Sequence, residues 1–119
     1  WTKKLGKGTL YVFSASMDFE PNCEALMSIF NKHNKPVITC PNLNIQYSIR
    51  EKDGKRYVYL LNYDMHKTET AEIGVTGKYN VTDISIPGNQ KVNATYRNGK
   101  TYFKVRLAPV EMALLELSK

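Results

Sequence analysis

One hundred and nineteen residues suit one domain, or one small domain with a flanking piece. The apolar and charged fractions, 42% and 24%, are ordinary for a globular chain, and no run is long and apolar enough to cross a bilayer as a helix. The net charge of +6 would suit nucleic acid, but the lysines and arginines are scattered through turns and strand faces with no recognition motif beside them, so neither a nucleic-acid nor a membrane partner is expected.

The chain opens at Trp1 with neither a leader nor an initiating Met, which suggests a piece of a longer protein. The compartment stays open; an exported or periplasmic bacterial setting is compatible. Trp1–Lys7 is basic and reads as a loose lead-in. Gly6-Lys7-Gly8 precedes Thr9-Leu10-Tyr11-Val12-Phe13, a β-branched and aromatic run that predicts a buried strand. The two glycines precede the strand and no helix follows them directly, so a phosphate loop is a poor fit.

After a loop over Ser14–Glu20, Pro21 suits a first helical turn, with Glu20 and Glu24 complementing its dipole. Cys23, Leu26, Met27 and Phe30 recur at the i, i+3, i+4, i+7 spacing of an amphipathic helix, with Ile29 widening a stripe expected to pack as core. Asn31–Lys35 ends the helix before Pro36. Val37-Ile38-Thr39-Cys40 reads as a short strand, broken by Pro41-Asn42. Residues 1–44 therefore read as a β-α-β lead-in, the tail of a preceding domain, and residues 45–119 as an antiparallel β domain.

Ile45–Tyr63 carries the strongest local signal. Two β-rich runs flank Asp53-Gly54, the residues that best tolerate the two positive φ angles of a type I′ hairpin turn. A two-residue turn there sets Glu51 opposite Arg56, Ile49 opposite Val58 and Tyr47 opposite Leu60. Alternation then sends Ile45, Tyr47, Ile49, Val58 and Leu60 to the core. Gln46, Ser48 and Arg50 go outward beside Tyr57, Tyr59, Leu61 and Tyr63. Those tyrosines are either covered by another part of the chain or form a docking surface for a neighbouring domain or a sugar.

Asp64–Lys67 is a polar loop in which His66 has no catalytic partner. Strands are predicted over Thr68–Val75 and Tyr79–Ile86, with turns at Thr76-Gly77-Lys78 and Pro87-Gly88. Lys91–Leu107 reads as a second hairpin about Asn98-Gly99, with Ala94 opposite Phe103 and Val92 opposite Val105. Val92, Ala94, Tyr96, Phe103 and Val105 then face the core, while Lys91, Asn93, Thr95, Arg97, Tyr102, Lys104 and Arg106 form a solvated face. Ala108-Pro109 turns a corner into Val110–Leu117, a strand apolar on both faces that suits a central or covered position. The whole predicts a mainly β protein: an antiparallel β-sandwich of about seven strands, preceded by the β-α-β segment with its one helix.

Cys23 and Cys40, with His33 and His66, make neither a disulfide scaffold nor a metal-ligand cluster. Cys23 and Cys40 could bridge if their elements pack together, and the spacing does not decide it; two buried, reduced thiols are the expected state, and no cofactor. The triplets Asn80-Val81-Thr82 and Asn93-Ala94-Thr95 are short enough to arise by chance.

The run Ile49-Arg50-Glu51-Lys52-Asp53-Gly54-Lys55-Arg56-Tyr57-Val58-Tyr59-Leu60-Leu61-Asn62 resembles the small C-terminal β domain of glycoside hydrolases, above all the β-galactosidase type of family 42. The stretch Val105–Leu117, proline corner included, is similar to the closing strand of that domain. Gly6–Lys35 is similar to the last strand and helix of the trimerisation domain that precedes it. The family's paired catalytic carboxylates lie on a barrel, and no position here matches them. The resemblance thus implies a non-catalytic accessory domain that packs on the catalytic domain of the same polypeptide. A carbohydrate-binding module is the alternative, with Tyr57, Tyr59 and Tyr63 stacking on sugar and Gln46 and Arg50 bonding hydroxyls.

Overall fold

A computed structural model describes residues 1–12 and 20–119, with side chains described for 1–12 and 25–119. The chain divides into two units, Trp1–Pro36 and Val37–Lys119.

In the first unit, β1 (Thr2–Leu5) and β2 (Gly8–Tyr11) form an antiparallel hairpin, followed by α1 (Glu20–His33). The basic lead-in is thus a strand. Its turn is Gly6-Lys7, with Gly6 at φ 57, the positive φ that the first position of a type II′ turn requires. The strand expected to be buried is not: Thr9 and Leu10 are exposed and Tyr11 is half-buried, because a two-stranded ribbon has no second layer of its own to cover both faces. Phe13 lies outside the described residues. The helical stripe is likewise not a sealed core, with Leu26 and Ile29 half-buried but Met27 and Phe30 exposed. The side chain of Cys23 lies outside the described set.

The second unit is a β-sandwich. One sheet has four strands in the order β3 (Ile38–Thr39), β6 (Glu69–Thr76), β10 (Lys100–Leu107), β9 (Ala94–Arg97). The other has five, in the order β4 (Ile45–Lys52), β5 (Lys55–Asn62), β11 (Met112–Ser118), β7 (Asn80–Asp83), β8 (Gln90–Val92). Every pairing is antiparallel. Val58, Leu60, Leu115 and Leu117 from one sheet meet Ala71, Ile73, Val75, Phe103 and Leu107 from the other in a continuous buried core. Ile38 belongs to that core through the pairing of β3 with β6, so the short strand after α1 folds with the sandwich. Cys40 packs against it, half-buried, as a free thiol.

Both type I′ turns form. Asp53 and Gly54 sit at φ 52 and 74, and Asn98 and Gly99 at φ 50 and 77. The first sets the expected register, from Lys52 opposite Lys55 to Ile45 opposite Asn62. Ile45, Val58 and Leu60 are buried and Ile49 is half-buried, whereas Tyr47 stays 42% exposed on its edge strand. The second sets Ala94 opposite Phe103. Beyond that pair the expected hairpin ends, for Val92 pairs with Val81 and not with Val105. The chain changes sheets at Asn93, and Val92 packs on the core from the other layer. Ala94 and Tyr96 stay exposed because β9 is the edge of its sheet. The closing strand β11 lies centrally, between β5 and β7.

Two buried polar groups lock the loops. Thr101 Oγ1 donates to Gly77 O (2.7 Å) and accepts from Tyr79 N–H (3.0 Å), while Asp83 accepts from Ser85 N–H (2.9 Å) and the Ser85 hydroxyl. Proline fixes φ near −65°, opposite in sign to the 52° at Asp53. Asp53→Pro is therefore expected to lower stability in urea unfolding by more than about 1 kcal/mol. An unchanged midpoint would contradict the turn geometry.

Candidate docking surface

The register of β4, β5 and β11 builds the outward face of the five-stranded sheet. Tyr57, Tyr59 and Leu61 alternate outward on β5. Arg50, Ser48 and Gln46 lie opposite them on β4, and Glu116, Leu114 and Met112 on β11. The three tyrosines are not equivalent. Tyr57 is half-buried, and its hydroxyl donates to Glu116 (3.4 Å), which also holds Lys55 at 3.0 Å. That contact raises the pKa of the Lys55 amine, chiefly through the hydrogen bond to Glu116. Tyr59 and Tyr63 are 48% and 68% exposed, so the described part of the chain leaves them bare. Gln46 and Arg50 are exposed beside them.

A second set of exposed apolar residues lies at one end of the sandwich, where three loops meet. Asn62, the last residue of β5, is fully buried. Its side-chain amide donates to Lys67 O (2.7 Å), Ala108 O (2.9 Å) and Leu107 O (3.2 Å), and its Oδ1 accepts from Asp64 N–H (2.9 Å). One side chain thereby ties the loop after β5 to the corner before β11. Main-chain bonds add to this: Tyr63 N–H donates to Asn44 O (2.8 Å) and Val110 N–H to Asp64 O (3.2 Å). The third loop, before β4, is held by Glu69, whose carboxylate accepts from the side-chain amides of Asn42 (2.7 Å) and Asn44 (2.9 Å).

This polar framework holds apolar side chains outward. Leu43 is 96% exposed, Met65 73%, Tyr63 68%, and Val110 and Met112 59% each. Val110 sits at φ 59. A β-branched residue in the left-handed region is a true outlier, at a cost of order 1–3 kcal/mol, and persists where its surroundings over-determine it. Here the surroundings are Asn62, the bond from Glu111 N–H to Ala108 O (3.1 Å), and the bond from Ala108 N–H to the Glu111 carboxylate (2.6 Å).

Alternation placed Tyr57, Tyr59 and Tyr63 outward, and of these Tyr59 and Tyr63 are exposed while Tyr57 is half-buried; Leu43, Met65 and Val110 were not anticipated. The available signal was a large apolar residue at the tip of an otherwise polar loop. His66 is exposed, its backbone N–H donating to Asp64 (2.7 Å), in keeping with a plain loop residue. Among the described residues no three potential ligands cluster as a metal site would require.

The acids of this end are structural. Side-chain hydrogen bonds from Asn42, then Asn44, hold Glu69 below the ordinary carboxylate range. Backbone N–H groups of His66, then Lys67, do the same for Asp64. A depressed carboxylate contributes stability that is present above its unfolded value and lost as pH falls through its folded value. With ordinary values of 4.5 and 3.8, the loop end should weaken progressively below that range. Glu69→Gln should therefore reduce the fall in urea midpoint between about pH 7 and about pH 3; equal falls in both proteins would contradict the assignment. In the same assay Val110→Gly should stabilise the isolated chain by about 0.5–1 kcal/mol, because glycine takes a positive φ without strain. A loss of stability would show that Val110 is not strained.

No family model matches this sequence, and no curated protein matches it. Two solved chains match it in structure. One is the rhamnosidase from Novosphingobium sp. PP1Y, with a TM-score of 0.68 at 17% identity, covering 99% of this chain and 11% of that one. At that identity the likeness shows a shared fold, and the chain spans a small fraction of the rhamnosidase's length.

Proposed function

We propose that this chain is a non-catalytic accessory β domain of a glycoside hydrolase, which packs on the catalytic part of the same polypeptide and stabilises it. The carrying observation is the loop end of the sandwich. Leu43, Tyr63, Met65, Val110 and Met112 stand exposed on backbone fixed by buried or paired polar groups. Large apolar side chains displayed on a rigid frame mark a surface for a partner, since a free monomer gains nothing from wetting them. The occupant we assign is the rest of a longer polypeptide. The supporting comparison is that the same fold makes up 11% of a rhamnosidase chain, an enzyme whose name denotes glycoside cleavage. That likeness supports a glycoside hydrolase in general; the finer family 42 reading rests on the sequence resemblance of the Ile49–Asn62 hairpin, of Val105–Leu117 and of Gly6–Lys35.

Methionine oxidation reads the surface directly. Peroxide is expected to convert Met65 and Met112 to sulfoxide quickly in the isolated chain, and at least about tenfold more slowly in the polypeptide that carries it. Equal rates in the two settings would overturn the docking reading. The pure chain is expected to hydrolyse no aryl glycoside, and turnover would overturn its non-catalytic role.

A second reading rests on Tyr59, which is exposed with Ser48 beside it on β4. Such a ring could stack on a sugar. Saturable binding to a glycan panel, lost in Tyr59→Ala, would favour a carbohydrate-binding module over a packing role.

A further inference from the structure

The first unit carries a groove that the accessory-domain reading does not use. Cross-strand pairing sets Thr2 opposite Tyr11 and Lys4 opposite Thr9, so alternation places these four side chains on one face of the β1–β2 hairpin. The last turn of α1 brings Lys32 and His33 to that face. The Tyr11 hydroxyl and His33 Nε2 lie 2.8 Å apart, with the two rings edge to face at 5.8 Å. These six residues and Lys3 line an open groove of about 330 Å³.

The lining has an uneven chemistry. It holds three ammonium groups, three hydroxyls and an imidazole, and among the described residues no carboxylate. A basic residue in a last helical turn has an ordinary explanation, since it complements the helix dipole. That accounts for Lys32 and His33 but not for Lys4, Thr9 and Tyr11 reaching the same groove from a separate element. N–H and O–H donors of net positive charge, converging on one concavity, are what an oxyanion requires.

We propose that Lys4, Lys32, Tyr11 and His33 form an oxyanion site for a ligand bearing a sulfate, phosphate or carboxylate group. Lysine supplies charge and rotatable donors. Tyr11 and His33 supply direction: when Nε2 carries the proton it donates to the phenolic oxygen, and the Tyr11 O–H turns toward the ligand. The site is open to water, so its affinity is modest and falls with salt. It is independent of the docking surface, and its failure would leave that reading intact.

The test is a titration of the whole chain with inorganic sulfate, inorganic phosphate and glucuronate in turn, at fixed ionic strength set with chloride. The histidine ring signals are followed by NMR. At least one anion should move the His33 ring along a saturable curve while His66, on the other unit, stays still. The anion that does so identifies the ligand class. Lys4→Gln and Lys32→Gln, which keep most of each side chain's length, should each weaken that binding by about fivefold. Tyr11→Phe, which keeps the ring against His33, should weaken it as well. Parallel, non-saturating shifts of both histidines with all three anions would overturn the site, and so would an affinity unchanged in both lysine variants.

Discussion

The exposed end of this sandwich depends on one buried amide. Asn62 ends a strand in which the two inward residues before it, Val58 and Leu60, are fully buried and apolar. A polar group at such depth is tolerated only when its hydrogen-bonding capacity is met, and leaving one buried group unsatisfied costs about 1–3 kcal/mol. Asn62 meets that demand with four main-chain partners drawn from two loops and the end of β10. Those loops could not all relax without stranding the amide. The consequence is a fixed backbone from which Tyr63, Met65 and Val110 project into solvent, with Val110 kept at a positive φ.

Elsewhere the charge of the protein is absorbed locally. On the outward face of the four-stranded sheet, Tyr102 lies against Gly74, where an added Cβ would come within 3.0 Å of the ring, and Arg97 stacks over Tyr102 at 4.7 Å. Lys104 pairs with Glu72 on the same face. Arg56 covers Tyr79 at 5.4 Å while donating to Thr76 O (3.1 Å). These contacts pack the stems of basic residues on aromatic rings, an ordinary use of arginine at a surface. They hold three of the seventeen lysines and arginines against a ring or a carboxylate, while Lys4 and Lys32 line the groove of the first unit.

What the sequence revealed follows from where each choice is made. The turns at Asp53-Gly54 and Asn98-Gly99 are decided by two adjacent residues each, so the local register could be read directly, fully for the first and as far as Ala94 for the second, whereas the exposure of Tyr47, Ala94 and Tyr96 is set by their place on edge strands. The Gly6-Lys7 turn belonged to the same class, but the lysines around it masked a strand as a lead-in. The change of sheet at Asn93 was not legible. It is settled by Val81 offering Val92 a ladder partner, a contact between residues apart in sequence and in another strand pair. The loop end was hidden for a similar reason. Nothing near Leu43 or Val110 announces that Glu69 will clamp one loop or that Asn62 will hold the other. The Leu60-Leu61-Asn62 ending could be noticed as a pattern, but its role appears only when Lys67 and Ala108 are brought to the amide.

The fixed loop end requires that amide to be sealed and fully bonded. Hydrogen exchange of the Asn62 side-chain NH2 in the folded chain, measured by NMR against the exposed Asn98 side chain, tests it most directly. Asn62 is expected to exchange far more slowly, at a rate tracking opening of the loop end. Exchange of both side chains at the same fast rate would mean that the loops are not pinned, and that the apolar residues they carry are not held out for a partner.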